Sequence, residues 1–146
     1  MNSNDARIAA VYTTQTGATV RDSSPNAGPP RSGTFDLVVQ LEAGNVLGQS
    51  GADYTLSFAA LNDNTGQPAA QLVPTGNPFK EEFDAPAWTK SGSDFVRTGT
   101  GEVTGILRYK IAVPAGVTGT FHYNVELVSA GYQVVELVRS DAFILV

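Results

Sequence analysis

The chain contains no cysteine, a single histidine, and no apolar run near the ~20 residues that a membrane-spanning helix needs. Without cysteine there are no disulfides, no thiolate zinc sites and no cysteine nucleophiles.

The N-terminus lacks the basic start and apolar stretch of a signal peptide. Two localisations therefore stay open. The protein is cytoplasmic if Met1 begins the natural chain, and cell-surface or extracellular if Met1 begins an excised piece of a longer exported chain.

Positive charge is scarce. Nine Lys and Arg residues against 14 Asp and Glu residues give a net charge of -5, and the basic residues are spread singly along the chain. Because an acidic chain is repelled by phosphate backbones and anionic lipid, we predict neither a nucleic-acid partner nor a membrane partner. We also predict no cofactor. A length of 146 residues suits one domain, so residues 1–146 are expected to form a single β-sandwich domain.

The most informative feature present is a nearly regular alternation of apolar and polar residues in four stretches, with Val38 as the apolar exception in the first. The apolar members of these stretches are Phe35, Leu37, Val39 and Leu41; Tyr54, Leu56, Phe58 and Ala60; Leu107, Tyr109, Ile111 and Val113; and Phe121, Tyr123, Val125 and Leu127. A period of two indicates strands with one buried face and one wet face. The sequence therefore predicts an all-β antiparallel two-sheet sandwich, immunoglobulin-like or jelly-roll, with eight or nine strands.

Turn residues divide the chain into predicted strands. These strands cover 8–14, 34–42, 53–61, 69–73, 94–98, 102–113, 120–129, 132–138 and 142–146. Within the first strand, Ile8, Ala10 and Tyr12 are expected to point inward.

The Pro- and Gly-rich segment 22–33 is either a long surface loop or a crossover to another sheet. The apolar end of the chain, 142–146, must dock as a strand or pair with another chain.

The run from Pro114 to Val125 resembles the late strands of immunoglobulin-like modules in bacterial proteins. Those strands often read Gly-Thr-Tyr-x-Tyr-x-Val after a turn that contains proline, and here Phe121 stands where the first tyrosine is usual. The resemblance covers the last third of the chain. It implies a non-catalytic spacer or recognition module.

Segment 79–95 combines aromatic and acidic side chains. Its candidate ligand contacts are Phe79, Glu81, Phe83, Asp84 and Trp88. The three rings could form a platform for a sugar, with the two carboxylates accepting hydroxyl hydrogen bonds. Alternatively, the rings fold inward as a plug at one end of the sandwich. This segment is therefore a candidate carbohydrate-binding face.

A catalytic alternative uses two acids of the same segment. Glu82 and Asp84 would share a face of a strand, and a glycoside hydrolase needs two carboxylates across a sugar-binding cleft. The other catalytic residue type, His122, is predicted to lie exposed on the polar face of its strand. No Gly-x-Ser-x-Gly motif is present to support a serine triad. We therefore predict that the protein is not an enzyme.

The turn that contains Asn62, Asp63 and Asn64 offers three oxygen-bearing side chains as a candidate calcium site. Calcium prefers six to eight oxygens with several carboxylates, and this turn holds one carboxylate. A simple turn between strands explains the same residues, because Asn and Asp tolerate positive φ and form Asx-turns.

These observations favour a non-catalytic structural or recognition module. It would present loops or a sheet edge to a protein partner, or associate with itself. Carbohydrate binding through 79–95 is the alternative function, and a glycoside hydrolase-like activity is the third.

Overall fold

A computed structural model describes residues 1–99, 106–132 and 134–146 of the chain. The described residues contain ten strands and three short 3-10 helices, at Leu47–Gln49, Ala70–Leu72 and Ala130–Tyr132. None of the described helices is long and apolar enough to cross a membrane. The strands are β1 (Ala6–Thr14), β2 (Thr34–Ala43), β3 (Asp53–Asn62), β4 (Phe79–Glu82), β5 (Trp88–Ser91), β6 (Asp94–Arg97), β7 (Leu107–Ala112), β8 (Gly119–Ser129), β9 (Val135–Arg139) and β10 (Phe143–Leu145).

Ten antiparallel strands form two sheets of five, which confirms the predicted sandwich. In the first sheet, β2 pairs with β1 on one side, and with β7 and β6, placed end to end, on the other; β5 lies outside β6. In the second sheet, β8 pairs with β3 on one side, and with β9 and β10, placed end to end, on the other; β4 lies outside β3.

The core lies between the sheets and is built from the alternating residues. Phe35, Tyr123 and Phe143 are at most 1% exposed, and the ring of Phe143 stacks on Tyr123 with centroids 5.3 Å apart. The Tyr123 hydroxyl donates a 2.7 Å hydrogen bond to the carbonyl of Leu72, which satisfies its one buried polar group. Each fully buried side chain of this size contributes roughly 1.5–3 kcal/mol, so the inward faces hold the sandwich together.

Some predicted elements were wrong. Segment 69–73 contains a 3-10 helix instead of a strand, and the strands β4 and β5 were missed. The prediction of which β1 residues point inward is wrong after Ile8, because the pairing with β2 shifts by one residue between Ile8 and Ala10. This bulge turns Val11 and Thr13 inward instead of Ala10 and Tyr12. The predicted strand 102–113 begins outside the described residues.

The Pro- and Gly-rich segment 22–33 is a loop between neighbouring strands of one sheet, because β1 pairs directly with β2. The loop also holds the end of the chain. The Asn26 side chain accepts a hydrogen bond from the Val146 amide at 3.1 Å and donates one to its carbonyl at 3.0 Å, while Ile144 N–H donates to the carbonyl of Ser23. The apolar segment 142–146 is therefore docked between this loop and β8.

Candidate functional site

A polar network of Tyr54, Glu81, Trp88 and Arg97 joins the two sheets. The guanidinium of Arg97 on β6 donates two 3.0 Å hydrogen bonds to the Glu81 carboxylate on β4. The Tyr54 hydroxyl on β3 donates to the same carboxylate and accepts a 3.2 Å hydrogen bond from the indole N–H of Trp88 on β5. Since β3 and β4 belong to the second sheet and β5 and β6 to the first, both contacts tie one sheet to the other.

The network fixes the charge state of its members. Burial alone would raise the Glu81 pKa, but the hydrogen bonds from Arg97 and Tyr54 and the Arg97 charge outweigh burial and hold the pKa below its ordinary value. Burial, followed by the hydrogen bond to Glu81 and its charge, raises the pKa of Tyr54 far above the ordinary value. Glu81 is therefore an ionised partner of Arg97, and Tyr54 is a neutral donor.

The candidate aromatic platform does not lie at the surface. Phe83 is 0% exposed and Trp88 is 7% exposed, and their rings pack with centroids 5.1 Å apart. Phe79 is half-buried and stacks on Tyr109 at 5.2 Å. The rings form the inward plug, because the space between the sheets at this end needs apolar filling. The platform geometry proposed for a sugar is thus wrong.

The two acids of the catalytic alternative do not lie on one strand. Glu82 is the last residue of β4 and stands opposite Asp53, whereas Asp84 lies in the following turn with φ 62°. Phe83 between them points into the core. Glu82 and Asp84 are both exposed on either side of this buried residue, but only Glu82 belongs to β4, so the prediction that the two acids lie on one strand is wrong.

A cleft of about 480 Å³ opens on the outer face of the second sheet, where β3, β4 and β8 meet. The residues that line it are Asp53, Tyr54, Thr55, Lys80, Glu81, Glu82, Val128, Ser129, Ala130 and Gly131. The charged side chains at its rim are those of Asp53, Lys80 and Glu82, which are exposed. Of the sequence-predicted ligand contacts, only Glu81 lines this cleft.

The turn at Asn62, Asp63 and Asn64 is held by its own side chains. The Asn62 Oδ1 accepts from the Asn64 amide at 2.8 Å, and the Asn64 Oδ1 accepts from the Thr120 amide at 3.0 Å. The described residues contain no group of three or more His, Asp or Glu side chains that could hold a metal ion. The oxygens proposed for calcium thus stabilise the turn.

His122 pairs with Asp63, the second residue of this turn. Its Nδ1 lies 2.5 Å from the Asp63 Oδ1, and the histidine is 8% exposed. The prediction of an exposed histidine was wrong, because the turn after β3 covers the outer face of β8. Nothing in the alternation of β8 could have revealed this partner, which comes from a segment 59 residues away.

Exposed apolar residues cluster near the end of the chain. Among the described residues, seven large apolar side chains are exposed, and four of them lie within 135–146. These four form the β9–β10 stripe: Val135, Leu137, Ile144 and Val146. Val135 and Leu137 are 62% and 66% exposed and stand beside Val128 and Glu126 of β8. The sequence predicted a strand here without assigning its outward residues a role.

No family model matches the chain, and no curated protein matches it. Among solved structures, the chain is similar to the CooA pilin subunit from enterotoxigenic Escherichia coli. The identity is 10%, the similarity covers 93% of this chain and 95% of that chain, and the TM-score is 0.40. A similarity at this level says nothing about what the present chain binds.

Proposed function

We propose that the chain is a non-catalytic structural or recognition module that contacts a protein partner through the outer face of the second sheet. The immunoglobulin-like character of the sandwich is part of this proposal. The observation that carries it is the pair Val135 and Leu137 of the β9–β10 stripe, because neighbouring exposed apolar residues on a folded domain are typical of interaction sites.

Two exposed side chains of the stripe give it the character of a contact surface. Val135 and Leu137 are each more than 60% exposed and follow one another on the same side of β9. Single exposed valines are ordinary on any protein surface. Adjacent branched side chains on one strand face are a different case, because covering both removes a continuous apolar area from water.

The strand that carries these residues is held on both sides. β9 pairs with β8 through five residues, and the Glu136 carboxylate accepts a 3.0 Å hydrogen bond from the amide of Ile8 on β1. Glu136 alternates with Val135 and Leu137 and turns toward the first sheet. A rigid strand needs little ordering when a partner docks, which favours binding.

The test uses a double variant of the stripe. The chain is immobilised and used to capture proteins from an extract of the organism of origin, in parallel with V135E/L137E. The matched control is V20E/V46E, which alters two exposed valines, 74% and 53% exposed, away from the second sheet. We expect a captured protein that the control retains and the stripe variant loses. Equal capture by all three forms would contradict the proposal.

A second candidate function is binding of a carbohydrate in the cleft beside β4. The specific observation is the cleft volume of about 480 Å³ with Asp53, Lys80 and Glu82 at its rim, since small-molecule sites commonly fall within roughly 300–1,000 Å³. Carboxylates and an amine supply hydrogen bonds to sugar hydroxyls without the buried rings.

The cleft candidate is tested by a thermal-shift screen with soluble glycans. A glycan at a hundredfold its dissociation constant stabilises by about 2.7 kcal/mol, which raises the midpoint of a domain of this size by roughly 5–10 °C. D53N/E82Q should abolish the shift, while D94N, outside the cleft, should keep it. No shift with any glycan would exclude this candidate for the panel tested.

A further inference from the structure

We propose that the outer edge of β9 binds an extended segment of another protein as an added strand of the second sheet, and that this segment carries a lysine or arginine between two apolar residues. The inference rests on the proposed function, because it uses the side chains of Val135 and Leu137. It goes further by naming the conformation of the partner, its backbone contacts and its side-chain pattern.

The backbone of β9 alternates between residues that face β8 and residues that face away. The Ser140 amide, directly after the strand, donates a 2.8 Å hydrogen bond to the Tyr123 carbonyl of β8. Hydrogen-bonded pairs recur at every second residue of an antiparallel ladder. Since the register continues without a shift, Val138 and Glu136 also direct their backbone groups toward β8.

The remaining residues of β9 direct their backbone groups to the outer edge of the sheet. These residues are Val135, Leu137 and Arg139. Within residues 1–99, 106–132 and 134–146, their N–H and C=O groups have no hydrogen-bond partner. The Glu136 contact with β1 comes from its side chain on the inner face, so it leaves this backbone edge unpaired. An unpaired row of N–H and C=O groups is a template for another strand.

The other edges of the two sheets are protected against pairing. The short or outer strands β4, β5 and β7 each present an exposed lysine, namely Lys80, Lys90 and Lys110. Lysine at an edge hinders the approach of another strand. The edge of β10 is covered by the 22–33 loop. β9 has neither lysine nor proline, and its outward side chains Val135 and Leu137 are more than 60% exposed.

The side chains of β9 specify the pattern of the added strand. Residues that stand opposite each other in an antiparallel pair place their side chains on the same face. The residues opposite Val135 and Leu137 therefore lie on the outer face, where apolar side chains cover both. The residue between them lies on the inner face, opposite Glu136.

The position opposite Glu136 suits a cation. The Glu136 carboxylate accepts one hydrogen bond, from the Ile8 amide, and forms no ion pair in the part of the chain that the structure describes. Opposite charges in facing positions stabilise a strand pair. The net charge of -5 also favours the approach of a basic segment over an acidic one.

A second copy of β9 fits this edge less well. If Leu137 stands opposite Leu137 of the other copy, Glu136 faces Val138. If the register moves so that Val135 stands opposite Leu137, Glu136 faces Glu136, and like charges in facing positions destabilise the pair. Neither register gives Glu136 a cation, so the segment is assigned to a different protein.

The test uses two labelled peptides of equal composition and fluorescence anisotropy up to about 1 mM protein. The probe is Ser-Thr-Val-Lys-Val-Thr-Ser, which places both valines on one face and the lysine on the other. The control is Ser-Thr-Lys-Val-Val-Thr-Ser, which cannot do so in any register. We expect the probe to bind and the control to bind at least about tenfold more weakly.

A proline at the edge tests the backbone contact. L137P removes an N–H that faces outward, so it keeps the bonds between β8 and β9 and should weaken the probe at least about tenfold. The matched control is K110P. The Val113 amide bonds the Gly33 carbonyl, so by the same alternation the Lys110 N–H faces the outer edge of β7. K110P should leave probe binding unchanged.

E136Q tests the charge pair. It should weaken the probe about three- to tenfold, because the lysine then loses its opposite charge. A peptide with glutamine in place of the lysine should bind the wild type and E136Q equally. This comparison isolates the contact between the lysine and Glu136 from any general effect of the substitution.

Hydrogen exchange followed by NMR needs no variant. In the unbound chain, the amides of Glu136 and Val138 should be protected, whereas those of Val135, Leu137 and Arg139 should exchange fast. Saturating probe should slow exchange of the second group at least about tenfold. This alternating response distinguishes strand addition from contact with side chains alone.

Three outcomes would overturn the inference. They are no probe binding up to about 1 mM, equal binding of probe and control, and binding that leaves the exchange of the Val135 and Leu137 amides unchanged. In each case, capture of a protein that V20E/V46E retains and V135E/L137E loses would leave the proposed function standing. Equal capture by all forms would contradict both. Protection of the same amides by self-association without the probe would replace the partner by a second copy.

Discussion

Glu81 and Arg97 form a bidentate ion pair across the sandwich, with Oε2 to Nε and Oε1 to Nη2 distances of 3.0 Å each. Their side chains are 20% and 11% exposed, so both charges are largely withdrawn from water. At the opposite edges of the sheets, the Glu136 carboxylate bonds the Ile8 amide at 3.0 Å. A carboxylate of the second sheet thus binds the first sheet on each side of the molecule.

Removing one member of the ion pair should destabilise the fold strongly. We expect R97M to lower the free energy of unfolding by about 3 kcal/mol, because it leaves the Glu81 charge buried without its partner. The double variant E81M/R97M should lose clearly less, since no charge then remains to desolvate. Urea unfolding followed by Trp88 fluorescence measures the wild type, R97M and E81M/R97M. A double variant that is as unstable as R97M would contradict the explanation.

Acid should weaken the same contact. Because the folded Glu81 pKa lies below its ordinary value of 4.5, its contribution is complete above that value and is lost as the pH falls through the folded pKa. The stability difference between wild type and E81Q should therefore be constant near neutral pH and shrink below about pH 4.5. Urea unfolding of both proteins over this range measures it. A difference that does not change with pH would rule out this linkage.

Two tyrosines with buried hydroxyls should respond differently to loss of the hydroxyl. The Tyr54 hydroxyl bonds Glu81 and Trp88, so Y54F should cost about 1–3 kcal/mol. The Tyr109 hydroxyl is buried with no hydrogen-bond partner among the described residues, so Y109F should be neutral or stabilising by up to about 1 kcal/mol. Thermal unfolding of the pair tests this, and equal losses would contradict it.

The segment between β1 and the 22–33 loop should be released when Arg108 is removed. Arg108 donates to Asp36 at 2.6 Å and to the Ala18 carbonyl at 2.7 Å, while the Gly17 amide donates to Asp36 at 2.8 Å. These bonds hold residues 15–21 over the first sheet. R108M should therefore speed tryptic cleavage after Arg21.

Cleavage after Arg31 provides the internal control for this experiment. Arg31 lies in the next loop and makes none of the contacts that hold residues 15–21. Its cleavage rate should stay close to that of the wild type. Equal acceleration at both sites would indicate general unfolding instead of local release.

The sequence predicted best where side-chain alternation alone determines the structure. Long strands such as β8 carry the pattern over many residues, so Tyr123 and Leu127 were placed correctly in the core. β4 and β5 have four residues each, which is too short for a period of two to stand out between prolines. The bulge after Ile8 reverses which residues of β1 point inward. It arises from the pairing of β1 with β2, so the residues of β1 alone do not predict it.

The candidate site was predicted less well because its residues depend on distant partners. His122 and Asp36 occupy polar positions of their strands, yet both are buried beneath turns and loops that fold over the sheets. Trp88 and Phe83 were placed in the right segment, but their direction depends on space between the sheets. Residue types alone indicated segment 79–95 as a candidate site. Which of its side chains remain exposed is determined by the packing of the two sheets.

The order in which the strands pair has a consequence for synthesis of the protein. β3 ends at Asn62, and its long partner β8 ends at Ser129, 67 residues later. At ribosomal rates of roughly 5–20 residues per second, the unpaired edge of β3 waits about 3–13 seconds for that partner. During this interval the nascent chain exposes Tyr54, Leu56 and Phe58. Ribosome-bound or truncated chains that stop before β8 are therefore the forms of this protein most prone to aggregate and most in need of a chaperone.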